Sequence, residues 1–195
     1  LESCVELYPD NERAALAYQN VLSKLGKFPD AVKVAKARLA LNPESFAIKT
    51  SLAHALVGVG QLDEAISLYK EVLSQNADRP KVWVALGHAL KAKGDTTDAV
   101  NAYEKAVEYA NDYGDAYWSL ANTKTYKFSD NMLSQMCKQV EASSIKLDDK
   151  IHICFALGKG FEDKGQADKA FAYYDQGNKL KHSTLQFDIS RTEKA

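Results

Sequence analysis

Between residues 80 and 113, Trp83, Leu86, Gly87 and Leu90 recur at i, i+3, i+4 and i+7, the spacing of one helical face. Lys93-Gly94-Asp95 interrupts the run, and Ala99, Tyr103, Ala106 and Val107 resume it at spacings of three and four. The pattern predicts two short amphipathic helices joined by a glycine turn. A longer period of 34 residues lies over this one: Gly26, Gly60 and Gly94 are each followed five residues later by Ala31, Ala65 and Ala99. Leu52, Ala53, Leu56, Gly60, Ala65 and Tyr69 repeat the design one period earlier, and Tyr18, Leu22, Gly26, Ala31 and Pro43 repeat it earlier still. Small residues at 87 and 99 are expected to let paired helices approach, with Trp83 and Tyr103 filling the wider gaps around the contact.

A hairpin of two such helices cannot bury its apolar faces alone, so each must stack on the next. The expected fold is all-α, a right-handed superhelical solenoid of antiparallel helix hairpins. Repeats are placed at 12–45, 46–79, 80–113, 114–150 and 151–184. Pro9 stands 34 residues before Pro43, so 1–11 reads as the end of a preceding repeat and the chain as a piece of a longer protein. The fourth repeat departs from the others. Phe128 occupies the turn position that is glycine elsewhere, and Ser129-Asp130 reads as the N-cap of a lengthened second helix containing Leu133, Met136 and Val140. In the tail, 185–195, Leu185, Phe187 and Ile189 alternate, which permits a short strand, an extended arm or a joint to a further domain.

Trp83, Leu86-Gly87, Gly94, Ala99, Tyr103 and Ala106 together resemble the tetratricopeptide repeat signature. A second resemblance covers about residues 115 to 182. The stretch Tyr117-Trp118-Ser119-Leu120-Ala121-Asn122, the stretch Lys124 through Asp130, Phe155-Ala156-Leu157-Gly158-Lys159, Ala170-Phe171-Ala172-Tyr173-Tyr174 and Gly177-Asn178 resemble the last repeats before the catalytic domain of bacterial repeat-containing sulfotransferases. That resemblance implies a following sulfotransferase domain, a possible partner of these repeats, which would take 3′-phosphoadenylyl sulfate. No phosphate-binding loop is expected in this chain itself: Gly58-Val59-Gly60 ends a helix, and Gly158-Lys159-Gly160 lies inside one.

Composition narrows the function. With 46% hydrophobic residues, four prolines and a net charge of -1 over 195 residues, neither disorder nor general attraction to nucleic acid is indicated. No apolar run approaches the ~20 residues that cross a bilayer. Cys4, Cys137 and Cys154 lack paired metal-type spacing and read as reduced, buried thiols of a cytoplasmic protein.

The candidate binding surface is the face of each first helix left over from packing. Repeat positions 2, 5, 9 and 12 avoid the packed stripe at 4, 7, 8 and 11, and in the tetratricopeptide family they line a concave groove. Position 9 presents Asn20, His54, His88, Asn122 and Lys159, a ladder of hydrogen-bonding groups suited to an extended peptide. Arg13, Lys81, Lys91 and Trp118 extend the stripe, with Phe155 toward the C-terminal end; aromatic anchors beside cations suit an acidic or aromatic segment. The carboxylate clamp of some related repeats is incomplete here, because Leu16 and His54 replace its expected lysine and second asparagine. His54 and His88 lack a third metal ligand, and no motif places a nucleophile. The chain therefore reads as a non-enzymatic scaffold binding a peptide or protein segment, either the substrate-positioning region of a sulfotransferase or a free-standing adaptor, with no cofactor or metal of its own.

Overall fold

The computed structural model describes residues 11–184. Ten α-helices and no strand occur among them. In chain order they are α1 (Glu12–Lys24), α2 (Phe28–Leu41), α3 (Phe46–Gly58), α4 (Leu62–Gln75), α5 (Pro80–Lys93), α6 (Thr96–Tyr109), α7 (Gly114–Ala121), α8 (Asp130–Glu141), α9 (Leu147–Asp163) and α10 (Ala167–Thr184). They fall into two compact units that divide within α6, one ending at Ala106 and the other beginning at Val107.

In the first unit α1 to α4 each pack on the next helix in sequence, and the first helices of successive hairpins also touch, α1 on α3 and α3 on α5. This is the expected stacking of hairpins. The positions named by the 34-residue period are the buried ones: Ala31, Ala65 and Ala99 are fully buried, as are Leu56 and Tyr103. The glycines between them have a conformational reason. Gly94 closes α5 at φ 102°, and Gly26, Gly60 and Gly165 also take positive φ, the left-handed region that glycine enters without a Cβ clash. The chain then turns back, with Asp95 N–H donating to Leu90 O at 2.9 Å, a bond repeated by Gln61 to Leu56 and Lys27 to Leu22.

Gly87 is used differently from the expectation. Tyr103 does not fill a gap beside it but lies directly upon it, so that a Cβ on residue 87 would stand 2.3 Å from Tyr103 Cε1. The same arrangement recurs in the second unit, where a Cβ on Gly158 would stand 2.5 Å from Tyr174 Cδ1.

The second unit corrects the reading of the fourth repeat. Its second helix, α8, is not lengthened: it has 12 residues against 14 in α2, α4 and α6. The extra residues go into the connection, because α7 ends after eight residues and a loop runs to Ser129. Thr123 is buried at the head of that loop, its Oγ1 donating to Ser119 O at 3.1 Å. Phe128, in place of a turn glycine, is 5% exposed and packs edge-on to Tyr126. The last hairpin also begins earlier than 151, at Leu147, so α9 runs for 17 residues.

Ser129 caps α8 as expected, its Oγ accepting from Met132 N–H at 3.2 Å. Ser129→Ala removes that acceptor and is expected to cost about 1 kcal/mol. Urea unfolding of the variant checks this, and an unchanged midpoint would mean that the cap contributes nothing.

Cys154 is fully buried, and burial pushes its thiol up to about 11. Cys137 is only half-buried, contrary to expectation, with Sγ 3.2 Å from Tyr173 Oη. Cys4, the end of the preceding repeat and the alternation at 185–189 lie outside the described residues.

Candidate functional site

Three first helices of the first unit surround a groove of about 1090 Å³. The 34-residue register brings positions 1, 5 and 9 of the first two repeats to it, and positions 1, 2 and 6 of the third. Glu12, Leu16 and Asn20 come from α1, Phe46, Thr50 and His54 from α3, and Pro80, Lys81 and Ala85 from α5. Tyr69 of α4, 1% exposed, also contributes to the lining.

Of the ten residues expected at the site, Asn20, His54 and Lys81 line this groove. Arg13, His88 and Lys91 belong to the same unit and are exposed, but they do not line it. The His88 side chain is engaged internally, with Nδ1 3.0 Å from Tyr103 Oη and its ring edge-on to the phenol.

The other four lie in the second unit. Trp118 and Phe155 do come together, with ring centroids 5.6 Å apart. His152 joins them, stacked on Trp118 at 6.1 Å and 11°. Sequence reasoning missed His152, although the 34-residue register put it at position 2 of the last repeat. Asn122 and Lys159 do not act as free rungs of a ladder. The Asn122 amide donates to Trp118 O at 2.9 Å, and Lys159 Nζ pairs with Asp163 one turn along α9. Asp163 also accepts from Lys127 at 2.6 Å, and these two lysines hold its carboxyl below the usual aspartate range.

The groove's charges are arranged by rung. Glu12, at the α1 edge, accepts from Asn42 Nδ2 at 3.1 Å and from Ser45 Oγ at 3.0 Å. Glu44 lies 3.8 Å from Lys49, which also pairs with Glu71 at 2.7 Å. The hydrogen bond to Glu71 raises the Lys49 ammonium above the ordinary lysine range. At the α5 edge stand Arg79 and Lys81. Sequence reasoning missed Arg79 because it precedes its helix, although Ser45 and Asn11 hold the same register one and two periods earlier. Those two cap α3 and α1, whereas Arg79 caps nothing with its side chain and lies 4.9 Å over the Phe46 ring.

Among the described residues no three His, Cys, Asp or Glu side chains gather as a metal site, and no helix is long and apolar enough to cross a membrane. The groove offers hydrogen-bonding groups, cations and apolar walls, which is recognition chemistry.

Comparison with known proteins agrees with this geometry. Two tetratricopeptide repeat family models match, one over residues 20–80 and the other over residues 56–123. A search of curated protein sequences found no match. Among solved structures, BtubC from P. vanneervenii superposes with a TM-score of 0.68 at 16% identity, over 96% of this chain and 89% of that one. MamA gives 0.58 at 20% identity, over 87% of this chain and 97% of that one. YrrB, described as a TPR protein with an unusual peptide-binding site, gives 0.56 at 18% identity, over 94% and 93%. At these identities the likeness to the solved structures is one of fold. With the repeat period, the hairpin stacking and the matching family models in agreement, the chain is a tetratricopeptide repeat protein.

Proposed function

We propose that this chain is a protein-interaction scaffold that holds an extended peptide or protein segment in the groove between α1, α3 and α5. The observation that carries the reading is the groove itself. It has ample volume for several residues of extended chain, with apolar walls and a few convergent polar groups, Asn20, Thr50, Ser51 and His54 among them. Backbone amides of a bound segment need donors and acceptors at their own spacing, and asparagine and neutral histidine supply both.

The test is selection of binders from a phage-displayed library of random dodecapeptides, with the full chain as bait. Enrichment on the wild type is expected, together with its loss on Thr50→Trp, which fills the groove from α3 without touching the buried stripe. Enrichment that survives Thr50→Trp would remove the groove from the reading.

A link to a sulfotransferase domain, with 3′-phosphoadenylyl sulfate bound there and not here, is a finer proposal supported by the residues between 115 and 182 alone. Reading the coding sequence beyond Ala195 decides it: a phosphate-binding loop supports the link, and further repeats favour a free-standing adaptor.

A further inference from the structure

We infer that the groove selects a segment bearing an acidic side chain, and that Arg79 and Lys81 hold this carboxylate at the α5 edge. The inference rests on the reading of the groove as a peptide site and adds the chemistry of its occupant.

Arg79 carries the argument. Its Nε is buried without a hydrogen-bond partner, and its guanidinium is fixed 4.9 Å over the Phe46 ring. No carboxylate among the described residues pairs with it or with Lys81. A buried donor without a partner costs free energy that a ligand acceptor recovers. A carboxylate is the acceptor whose shape and charge fit a guanidinium fork. Stacking on Phe46 lowers the entropy that Arg79 loses on engaging it.

Two neighbours reinforce the preference. Lys81 is exposed on the same wall of the groove. The N-terminus of α5 begins with Pro80 and receives no side-chain cap, so its positive dipole end also favours an anion there. At the α1 edge the charge is opposite. Glu12 already accepts two hydrogen bonds, and its charge disfavours a second carboxylate on that side. An acidic residue is therefore admitted at one edge only, which fixes the direction in which a segment lies across the rungs.

The test uses peptides recovered from the dodecapeptide library, synthesised with a fluorophore and titrated against the full chain by fluorescence anisotropy. Each acidic peptide is paired with its Asp→Asn or Glu→Gln counterpart. The wild type is expected to bind the amide counterpart at least tenfold more weakly, the loss of a hydrogen-bonded charge pair. Arg79→Gln is expected to erase that difference, Arg79→Lys to keep part of it, and the exposed Lys81→Gln to weaken the acidic peptide about two- to fivefold. If Arg79→Gln fails to fold, the peptide pair on the wild type and Lys81→Gln still decide the matter. Enriched peptides without acidic residues, or equal affinity for acid and amide, would overturn the selectivity and leave the peptide groove standing. A library that yields no binders would overturn both.

Discussion

Gly114→Ala is expected to destabilise the second unit by about 3 kcal/mol, at the upper end of what overpacking costs. Gly114 opens α7 against the first turn of α9. A Cβ there would stand 2.2 Å from Asp149 O and 2.6 Å from Asp149 Cα. Both are backbone atoms, so no rotamer change relieves the clash and the two helices must separate. Separation also stretches the bond from Gly114 N–H to Asp149 Oδ1, now 2.9 Å. Gly94→Ala is the control. A Cβ at 94 meets nothing within 4 Å, and its penalty comes from the left-handed φ alone, roughly 1 to 2 kcal/mol. Urea unfolding of the two variants separates these mechanisms, and a Gly114→Ala loss no greater than that of Gly94→Ala would sink the close-approach argument.

Gly114 also shows what the sequence made legible. Its place at the head of a repeat followed from the period, but the reason for glycine there did not, because Asp149 is 35 residues away. The turn glycines were readable because positive φ leaves a mark on residue type. The short α7 and α8 were not. Lys124-Thr125-Tyr126-Lys127 is compatible with a helix, and burial of Thr123 and Phe128 is what ends α7 and sets the loop. The same limit applies to the groove. Periodicity along single helices picked out Asn20, His54 and Lys81, which line the groove. It could not see that His88 meets a phenol on α6, or that Lys159 pairs with a carboxylate already shared with Lys127. Arg79 escaped because a helix-face argument starts one residue too late.

Base is expected to unfold the second unit between pH 9 and pH 12, with the loss beginning at a thiol and finishing at phenols. Burial raises Cys154 from 9.0 to about 11, and burial, assisted by the charge of Asp112, raises Tyr117 from 10.0 to about 12. Both folded values lie above the unfolded ones, so each contribution is fully present below the unfolded value and is lost as pH rises through the folded one. Tyr117 is fully buried, and its Oη donates to Asn111 O at 3.1 Å. Its shift corresponds to roughly 2 to 3 kcal/mol, comparable to the Gly114 effect. Tyr174, raised to about 12 by burial and its bond to Glu162, moves in the same direction. Circular dichroism and tyrosinate absorbance, followed together, should show helicity declining in step with the late phenolates. Cys154→Ala should delay the onset from near pH 9 to near pH 10, because the thiol no longer draws the unfolded state. Full tyrosinate absorbance near pH 10 with helicity intact would show that these rings reach solvent in the folded chain, against the packing that places Tyr117 at the centre of the second unit's core.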